Sequence, residues 1–371
     1  MSSATRRIKN PRSIERIADA VLYEGYILYP YRPSAVKNQQ RWNFGVLSPE
    51  SYSVAQCGTE SSSMLTECLV ETNSSSALEV KIRFLHLMLR ELAEEIDDGR
   101  SSRSDAGHIH EESAQFRVVP AFDFNGQILQ TWQEAVEREV VLPRIKFSDL
   151  GLSKHVKFEF PSSKTTEPLV PTESGKRCGV ILRTQEAIAG EVKVLATTVV
   201  LEDSVSPHET GKKQLVKLAI EIRNLTPFEN ASDRSRDEAL LHSFVSTHTI
   251  LEVDNGAFVS LLDPPGEYKS AAHACTNTGT YPVLVGEEGN HEFMLSSPII
   301  LYDYPQIAPE SAGDLFDGTE IDEILTLRIM SLTDDEKREM RGADVLARQL
   351  LERTESLSAE EMMSLHDCEW H

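Results

Sequence analysis

Two histidines offer a candidate for nucleophilic or acid–base chemistry. His242 and His248 lie on either side of a predicted strand start, and Ser246 and Asp263 could complete a nucleophile, base and orienting acid. Hydrolases that use such a set usually carry a nucleophile elbow and oxyanion glycines, and neither accompanies these residues. The pattern therefore favours polar core or strand-edge residues that are satisfied by hydrogen bonds.

Side chains that could bind a metal occur in two groups. The run His108-Ile-His110-Glu-Glu112 is compact, but it lies in a polar stretch, 94–115, whose composition predicts a flexible, solvated insertion. A zinc site needs three or four ligands that a rigid frame holds in tetrahedral geometry. The second group of candidate metal ligands is His242, His248 and Cys275.

No cofactor is evident from the motifs. The Gly-Glu-Glu-Gly run at 286–289 is acidic where a phosphate loop needs backbone donors and a lysine. Five cysteines stand at the irregular positions 57, 68, 178, 275 and 368, so they predict neither a disulfide framework nor a metal knuckle. This cysteine usage is typical of the reducing cytoplasm.

The most distinctive segment is 297–325, where an apolar run leads into three prolines, an acidic turn and a helix start rich in carboxylates. Backbone-restricting residues reduce the entropy that a loop loses when it is held in one shape. Oxygen-rich clusters can bind magnesium or calcium, but these carboxylates lack the spacing of an EF-hand and fit helix capping better. The segment therefore predicts a rigid loop that is presented to a protein partner.

Aromatic residues beside this loop, and an aromatic and basic patch near the N-terminus, are of the types that anchor protein interfaces. Residues of these types belong equally often to a core, and that alternative stays open here. The predicted partner-binding residues are Tyr29, Tyr31, Arg41, Trp42, Phe44, Tyr302, Tyr304, Pro305, Pro309, Glu310, Asp314 and Phe316.

The charge balance narrows the class of partner. The 371 residues include 59 acidic and 37 basic side chains, which gives a formal net charge of −22. Nucleic acid and anionic membranes repel a polyanion, so neither is expected as a partner. No apolar run is long enough to cross a bilayer. Residues 1–10 carry paired arginines with no apolar run behind them, which fits neither a Sec nor a Tat signal, so we expect a cytoplasmic protein.

Hydrophobic periodicity predicts an α+β chain with a β-rich core of antiparallel, sandwich-like sheets and a helical C-terminal tail. Turn signals at Asn125-Gly126 and at 254–256 predict two hairpins, 116–124 with 127–131 and 247–253 with 257–262. The other predicted strands are 64–71, 78–89, 178–183, 190–201, 214–224, 281–285 and 298–304. Helices are predicted at 13–29, 132–140 (helix or turn), 232–245, 267–275, 320–328, 334–354 and after a capping box at 358–361.

Three domains are expected from these elements. An N-terminal α+β domain would cover 1–150, with the polar insertion near 94–115. A β-rich domain would cover 151–332, and a helical C-terminal extension would cover 333–371. The length of the chain is consistent with two or three such units.

Six stretches, spread over most of the chain, carry a resemblance to a known family. They are Tyr29-Pro-Tyr-Arg-Pro33, Arg41-Trp-Asn-Phe-Gly45, Leu129-Gln-Thr-Trp-Gln-Glu134, Ser246-Thr-His-Thr249, Phe258-Val-Ser-Leu-Leu-Asp-Pro-Pro265 and 297–327. Together they resemble an uncharacterised bacterial family whose genes lie near those of nickel–iron hydrogenases and their maturation factors. The resemblance implies an accessory role in hydrogenase assembly or maturation, and it implies no particular reaction.

Three functions remain as alternatives. The first is a non-catalytic, chaperone-like accessory protein that holds a hydrogenase subunit or maturation factor. The second is a metal-binding or metal-delivery protein, or an enzyme, with a site built from His242, His248, Cys275 and the carboxylates after Tyr302. The third is a permanent structural subunit of a larger complex, which would co-purify with its partners in stoichiometric amounts.

Overall fold

The computed structural model describes residues 11–23, 42–96, 115–151, 153–172, 175–200, 214–306, 329–343 and 345–356. The strands are β1 (Ser63–Thr72), β2 (Ala77–Ile96), β3 (Gln115–Val119), β4 (Ala121–Phe124), β5 (Gln127–Gln130), β6 (Trp132–Lys146), β7 (Lys154–Phe160), β8 (Ser163–Leu169), β9 (Gly179–Gln185), β10 (Ile188–Thr198), β11 (Gln214–Asn224), β12 (Val245–Asp254), β13 (Ala257–Val259), β14 (Tyr281–Leu284) and β15 (Phe293–Ser297). The helices are α1 (Pro11–Tyr23), α2 (Glu50–Ala55), α3 (Arg236–Leu240), α4 (Lys269–His273), α5 (Asp334–Ala343) and α6 (Val345–Ser356).

Two antiparallel sheets form the body of the molecule, which confirms the predicted β-rich α+β class. The smaller sheet has the strand order β13-β1-β11-β10-β7. The larger sheet has the order β14-β15-β12-β2-β9-β8, and it is built around the 20-residue strand β2. The first part of β2 lies between β12 and β6, and its last part lies between β9 and β3.

The main core lies between the two sheets. Alternate residues of β2, Leu78 to Phe84, are fully buried there because side chains two apart on a strand share a face. Strand β11 supplies the opposite wall in the same alternating way. Its core residues are Leu218, Ile220 and Ile222. Burying one such side chain contributes about 1.5–3 kcal/mol, so this alternation is what holds the sheets face to face.

Helices cover the outer face of the larger sheet. The apolar stripe of α1, including Ile14 and Val21, packs on Phe293 and Leu295 of β15. The predicted amphipathic helix at 13–29 is thus confirmed as far as Tyr23, and residues 24–29 lie outside the described part. The outer face of the larger sheet is therefore buried where α1 packs on it, whereas the edge strand β8 is largely exposed.

The C-terminal helices cover a second region of the same outer face. Met340 of α5 and Leu351 of α6 pack on Leu85 and Leu87 of β2. Thr333 caps α5 as predicted: its hydroxyl accepts from the Glu336 amide, and the Glu336 carboxylate accepts from the Thr333 amide. The helical tail is therefore a covering layer of the larger sheet in its described residues.

Strands from both sides of residue 150 share the two sheets. Strand β2 pairs with β9 and β12, and β1 pairs with β11 and β13. The buried residues between the sheets likewise come from both sides. Among the described residues, the expected boundary at 150/151 therefore does not separate two cores.

Strand β6 shows that the prediction of a helix or turn over 132–140 is wrong. It pairs with β2 through thirteen residue pairs, and Val140 and Leu142 are buried in the main core. Its register shifts by one bulge at the position of Pro143. A proline fits there because it has no N–H to donate to the ladder.

One predicted hairpin is confirmed and the other is wrong. Strands β4 and β5 pair across Asn125 and Gly126, both at positive φ (50° and 77°). Strands β12 and β13, in contrast, lie in different sheets, because β13 pairs with β1. The turn between them carries the chain from the larger sheet to the smaller one. The turn between β1 and β2 also connects the two sheets, and its Asn73 Nδ2 and Ser76 Oγ donate to the Asn255 carbonyl.

Several element bounds differ from the prediction. The run 298–304 is not a strand, since β15 ends at Ser297. The helix predicted over 232–245 is only the five-residue α3, which begins after the capping box of Ser235 and Glu238. Strands β7 and β8 were not predicted. The helices predicted at 320–328 and 358–361, and most of the polar insertion, lie outside the described residues.

Candidate functional site

The predicted partner-binding residues divide into two groups. Trp42, Phe44, Tyr302, Tyr304 and Pro305 lie in the described part of the chain. The others lie outside it, and they are Tyr29, Tyr31, Arg41, Pro309, Glu310, Asp314 and Phe316.

Trp42 belongs to the core, which corrects its assignment to a surface. It is 3% exposed and packs with Trp132 and Val245 under the C-terminal helices. Its indole Nε1–H donates to Gln133 Oε1 over 2.9 Å. A buried indole that has its hydrogen bond satisfied is a packing residue.

Three of the six sequence stretches meet next to Trp42. The Ser246 amide donates to the Phe44 carbonyl and the Thr247 amide donates to the Gly45 carbonyl, each over 3.0 Å. Ser246 has φ = 52° within an irregularity of β12, and Gly45 has φ = 53°. A Cβ on Gly45 would lie 2.8 Å from the Thr247 nitrogen and 2.9 Å from Pro298 Cβ, so only glycine fits here.

Tyr302 is the described residue that best fits a presented aromatic anchor. Its side chain is 85% exposed, and Ile300 beside it is 75% exposed. Leu301, between them, is partly buried against the α1 cluster. Phe44 is 40% exposed and adjoins Gly45, where an added Cβ would lie 2.9 Å from Pro298 Cβ, so the two predicted surface regions are neighbours.

Hydrogen bonds fix the backbone directly after Tyr302. Asp303 Oδ2 accepts from the Ser260 hydroxyl over 2.5 Å, and its Oδ1 accepts from the Leu284 amide over 2.8 Å. The Tyr304 amide donates to the Leu284 carbonyl over 2.7 Å. Tyr304 is half-buried against the main core, which corrects its assignment as an exposed anchor, and Pro305 is also half-buried. Tyr302 therefore projects from a backbone that is tied to β14.

His248 is a neutral, fully buried histidine. Burial, and to a lesser degree Arg83, lower its pKa to about 4, although its bond to Ser246 opposes this. Its Nδ1–H donates to the Ser246 carbonyl over 2.9 Å, so Nε2 is the acceptor nitrogen, and Nε2 has no partner. The ring therefore does not contact the Ser246 hydroxyl as a general base would, and Asp263 is exposed near Ser260.

The candidate metal ligands are held in separate environments. The His242 ring lies tilted against the Phe228 ring, with the two centroids 5.1 Å apart, whereas Cys275 packs in the small cluster around Leu69. Burial and the nearby Glu67 raise the pKa of the Cys275 thiol to about 11, which disfavours the thiolate that binds metals. No group of three or more metal-binding side chains occurs among the described residues.

An ionic cluster that the sequence analysis missed joins α1 to the sheet. Arg83 of β2 is 8% exposed, and its guanidinium lies 2.7 Å from Asp19 and 3.1 Å from Glu137. The Tyr23 hydroxyl donates to Glu137 over 2.5 Å, and burial raises the pKa of Tyr23. Because the partners lie on α1, β2 and β6, no local spacing in the sequence could have revealed the cluster.

A polar cluster at the end of the sandwich was also missed. His86, fully buried, and Gln185, 3% exposed, lie with Arg138 and His242 at the β9–β10 connection. Arg138 donates to Gln185 Oε1 over 2.8 Å. Beside His242 a groove of about 370 Å³ is lined by Glu186, Pro227, Phe228, Glu229, Arg234, Glu238, Leu241 and His242.

Comparisons with known proteins leave the family open. No protein-family model matches the chain, and no curated protein matches it. Among solved structures, the Salmonella SPI-1 type III secretion injectisome secretin InvG (residues 176 to the end, open gate state) has 9% identity and a TM-score of 0.12. That match covers 70% of this chain and 83% of the other. A likeness at this score carries no argument about fold or function.

Proposed function

We propose that this chain is a non-catalytic, cytoplasmic accessory protein that holds a protein partner during assembly or maturation of a nickel–iron hydrogenase. The observation that carries the proposal is Tyr302, an exposed aromatic side chain on a fixed backbone. Aromatic anchors dominate the energy of many protein interfaces, and a fixed backbone lowers the entropy that is lost on binding. The proposal that this partner belongs to hydrogenase assembly rests on the family resemblance of the six sequence stretches.

The states of the candidate catalytic groups favour binding over chemistry. A cysteine acts as a nucleophile or metal ligand in its deprotonated form, and a histidine acts as a base or metal ligand only where its ring is accessible. Cys275 is instead held as the thiol, and His248 is enclosed in the core. A net charge of −22 also favours a basic partner surface, which the chain could shield until assembly is complete.

Deleting the gene tests the biological part of the proposal. The deletion strain should lose active hydrogenase while it still synthesises the subunits, and a pull-down from wild-type cells should retrieve a hydrogenase subunit or maturation factor. Unchanged hydrogenase activity in the deletion strain would refute this part. Metal analysis of the purified protein tests the rival function: stoichiometric nickel, iron or zinc that is lost on His248→Leu would favour a metal-binding protein.

A pair of substitutions tests the surface itself. Tyr302→Ser should reduce retrieval of the partner at least about tenfold, because a central aromatic anchor contributes on the order of 2 kcal/mol or more. Val200→Ser is the matched control, since Val200 is also 85% exposed but follows β10 on the smaller sheet. Equal retrieval by the two variants would remove Tyr302 from the interface.

A further inference from the structure

The cluster at the end of the sandwich concentrates unsatisfied polar atoms. Five buried nitrogens have no hydrogen-bond partner there: His86 Nδ1 and Nε2, Arg138 Nε, Gln185 Nε2 and His242 Nδ1. The Glu186 carbonyl favours the protonated form of His86 and the Ala187 carbonyl favours that of His242, but neither carbonyl reaches hydrogen-bond geometry with its ring. Each unsatisfied group costs about 1–3 kcal/mol when it is buried, so this cluster is a candidate site for a polar ligand.

The cluster faces the interior between the sheets. Arg138 lies directly across from Phe84 in the β2–β6 ladder, and His86 is two residues after Phe84 on β2. Both side chains therefore share the face of β2 and β6 that carries the core. The guanidinium lies 4.7 Å from the centre of the Phe160 ring, which supports one side of it.

Arg138 carries a positive charge that no described carboxylate balances. Its hydrogen-bonding partner is the neutral Gln185 amide, and burial alone lowers its pKa. The nearest acidic side chains of the groove do not supply the counter-charge: Glu238 bonds Arg234 over 2.7 Å, and neither Glu186 nor Glu229 forms an ion pair with Arg138. The groups without hydrogen-bond partners are mainly N–H donors around the Arg138 cation. A carboxylate could accept hydrogen bonds from these donors and balance the positive charge.

We propose that Arg138, Gln185, His86 and His242 form a binding site for a small monocarboxylate, which enters through the groove beside His242. The carboxylate would accept from Arg138 Nε–H and Gln185 Nε2–H, with an imidazole N–H as a further donor. Glu186 follows Gln185 in the chain and, with Glu229, lines the groove, so a second negative charge on the ligand would be repelled. This inference does not depend on the partner surface at Tyr302.

Acetate and inorganic phosphate, compared at equal ionic strength, are the probes. Acetate should shift the ring NMR signals of His86 and His242 together and saturably, and phosphate should bind at least about tenfold more weakly. Arg138→Gln should weaken acetate binding roughly tenfold or more, as expected for the loss of a charged hydrogen bond. Arg144→Gln on the same strand, where the arginine is exposed and bound to Asp254, should leave binding unchanged.

Two results would overturn the proposal. One is the absence of a saturable acetate shift in the wild-type protein, and the other is equal acetate binding by Arg138→Gln and the wild type. Equal binding of phosphate and acetate would overturn the monocarboxylate class. Arg138→Lys keeps the charge but removes Nε–H, so it provides the same comparison if Arg138→Gln fails to fold, and it should also weaken acetate binding.

Discussion

Burial determines what single side chains of this protein can do. Two fully buried histidines of the described residues, His86 and His248, are neutral because desolvation lowers the pKa of each to about 4. Desolvation acts in the opposite direction on the Cys68 and Cys275 thiols, whose pKa values it raises. Residue types and spacing revealed His242, His248 and Cys275 as candidates, but burial is a property of the fold and was not readable from the sequence.

His248 should make the protein less stable in acid. The unfolded ring takes up a proton below about pH 6.5 and the folded ring only below about 4, so protons favour unfolding between these values. Protonation of His248 therefore costs no unfolding free energy well above pH 6.5. At pH 5 it should lower the free energy of unfolding by about 2 kcal/mol. Urea unfolding at pH 7 and pH 5 measures this loss, and His248→Leu should lessen it by that amount.

Substituting a solvated histidine provides the control for this measurement. His273 in the last turn of α4 is exposed, so His273→Asn should leave the difference between pH 7 and pH 5 as it is in the wild type. If His248→Leu also keeps the full difference, His248 is not the neutral, enclosed histidine that the structure describes.

Local patterns predicted elements well where the signal is itself local. The capping boxes and the Asn125-Gly126 hairpin depend on neighbouring residues only, and the hairpin was correctly predicted. Apolar residues recur every four positions at Trp132, Val136 and Val140, and this spacing fits one face of a helix as well as one face of a strand. The segment is a strand because it pairs with β2 over most of its length. The pairing of β13 with β1 is equally non-local, so the turn signal at 254–256 could not reveal it.

The contact between α5 and the β4–β5 hairpin provides a prediction at the scale of elements. A Cβ on Gly342 would lie 2.1 Å from the Ile128 carbonyl oxygen, and Arg90 donates to the Gly342 carbonyl over 3.2 Å. Gly342→Ala should therefore push α5 away from the sheet and cost about 1–3 kcal/mol of unfolding free energy. Gly266→Ala, where an added Cβ has no neighbour within 4 Å, should change it by less than about 0.5 kcal/mol.

Urea unfolding of the two glycine variants measures this difference directly. A Gly342→Ala protein as stable as Gly266→Ala would mean that the helix does not approach the hairpin closely. The proximity of Gly342 to Ile128, over 200 positions apart in the chain, is again a fact that no sequence pattern contained.

At the scale of the whole molecule, β2 connects the parts that the sequence analysis separated. It pairs on one edge with β12 and β9 and on the other with β6 and β3, and its two faces contribute to the main core and to the helical layer. The described helices include none that combines the length and the apolar character needed to span a bilayer. The sequence predicted the class of this architecture. That strands from both halves of the chain share the two sheets could be seen only in the structure.

This sharing predicts that the described body unfolds as one unit. Losing β9, β12 and β15 would expose the outer edge of β2 and half of the main core, so residues 1–150 alone should not form a stable fold. Calorimetry of the full chain should give a single main transition whose calorimetric and van't Hoff enthalpies agree. Two outcomes would contradict this: two well-separated transitions, or a 1–150 fragment with dispersed amide NMR signals. Either would show that the halves are independent domains, because each half would then bury its own core without strands from the other.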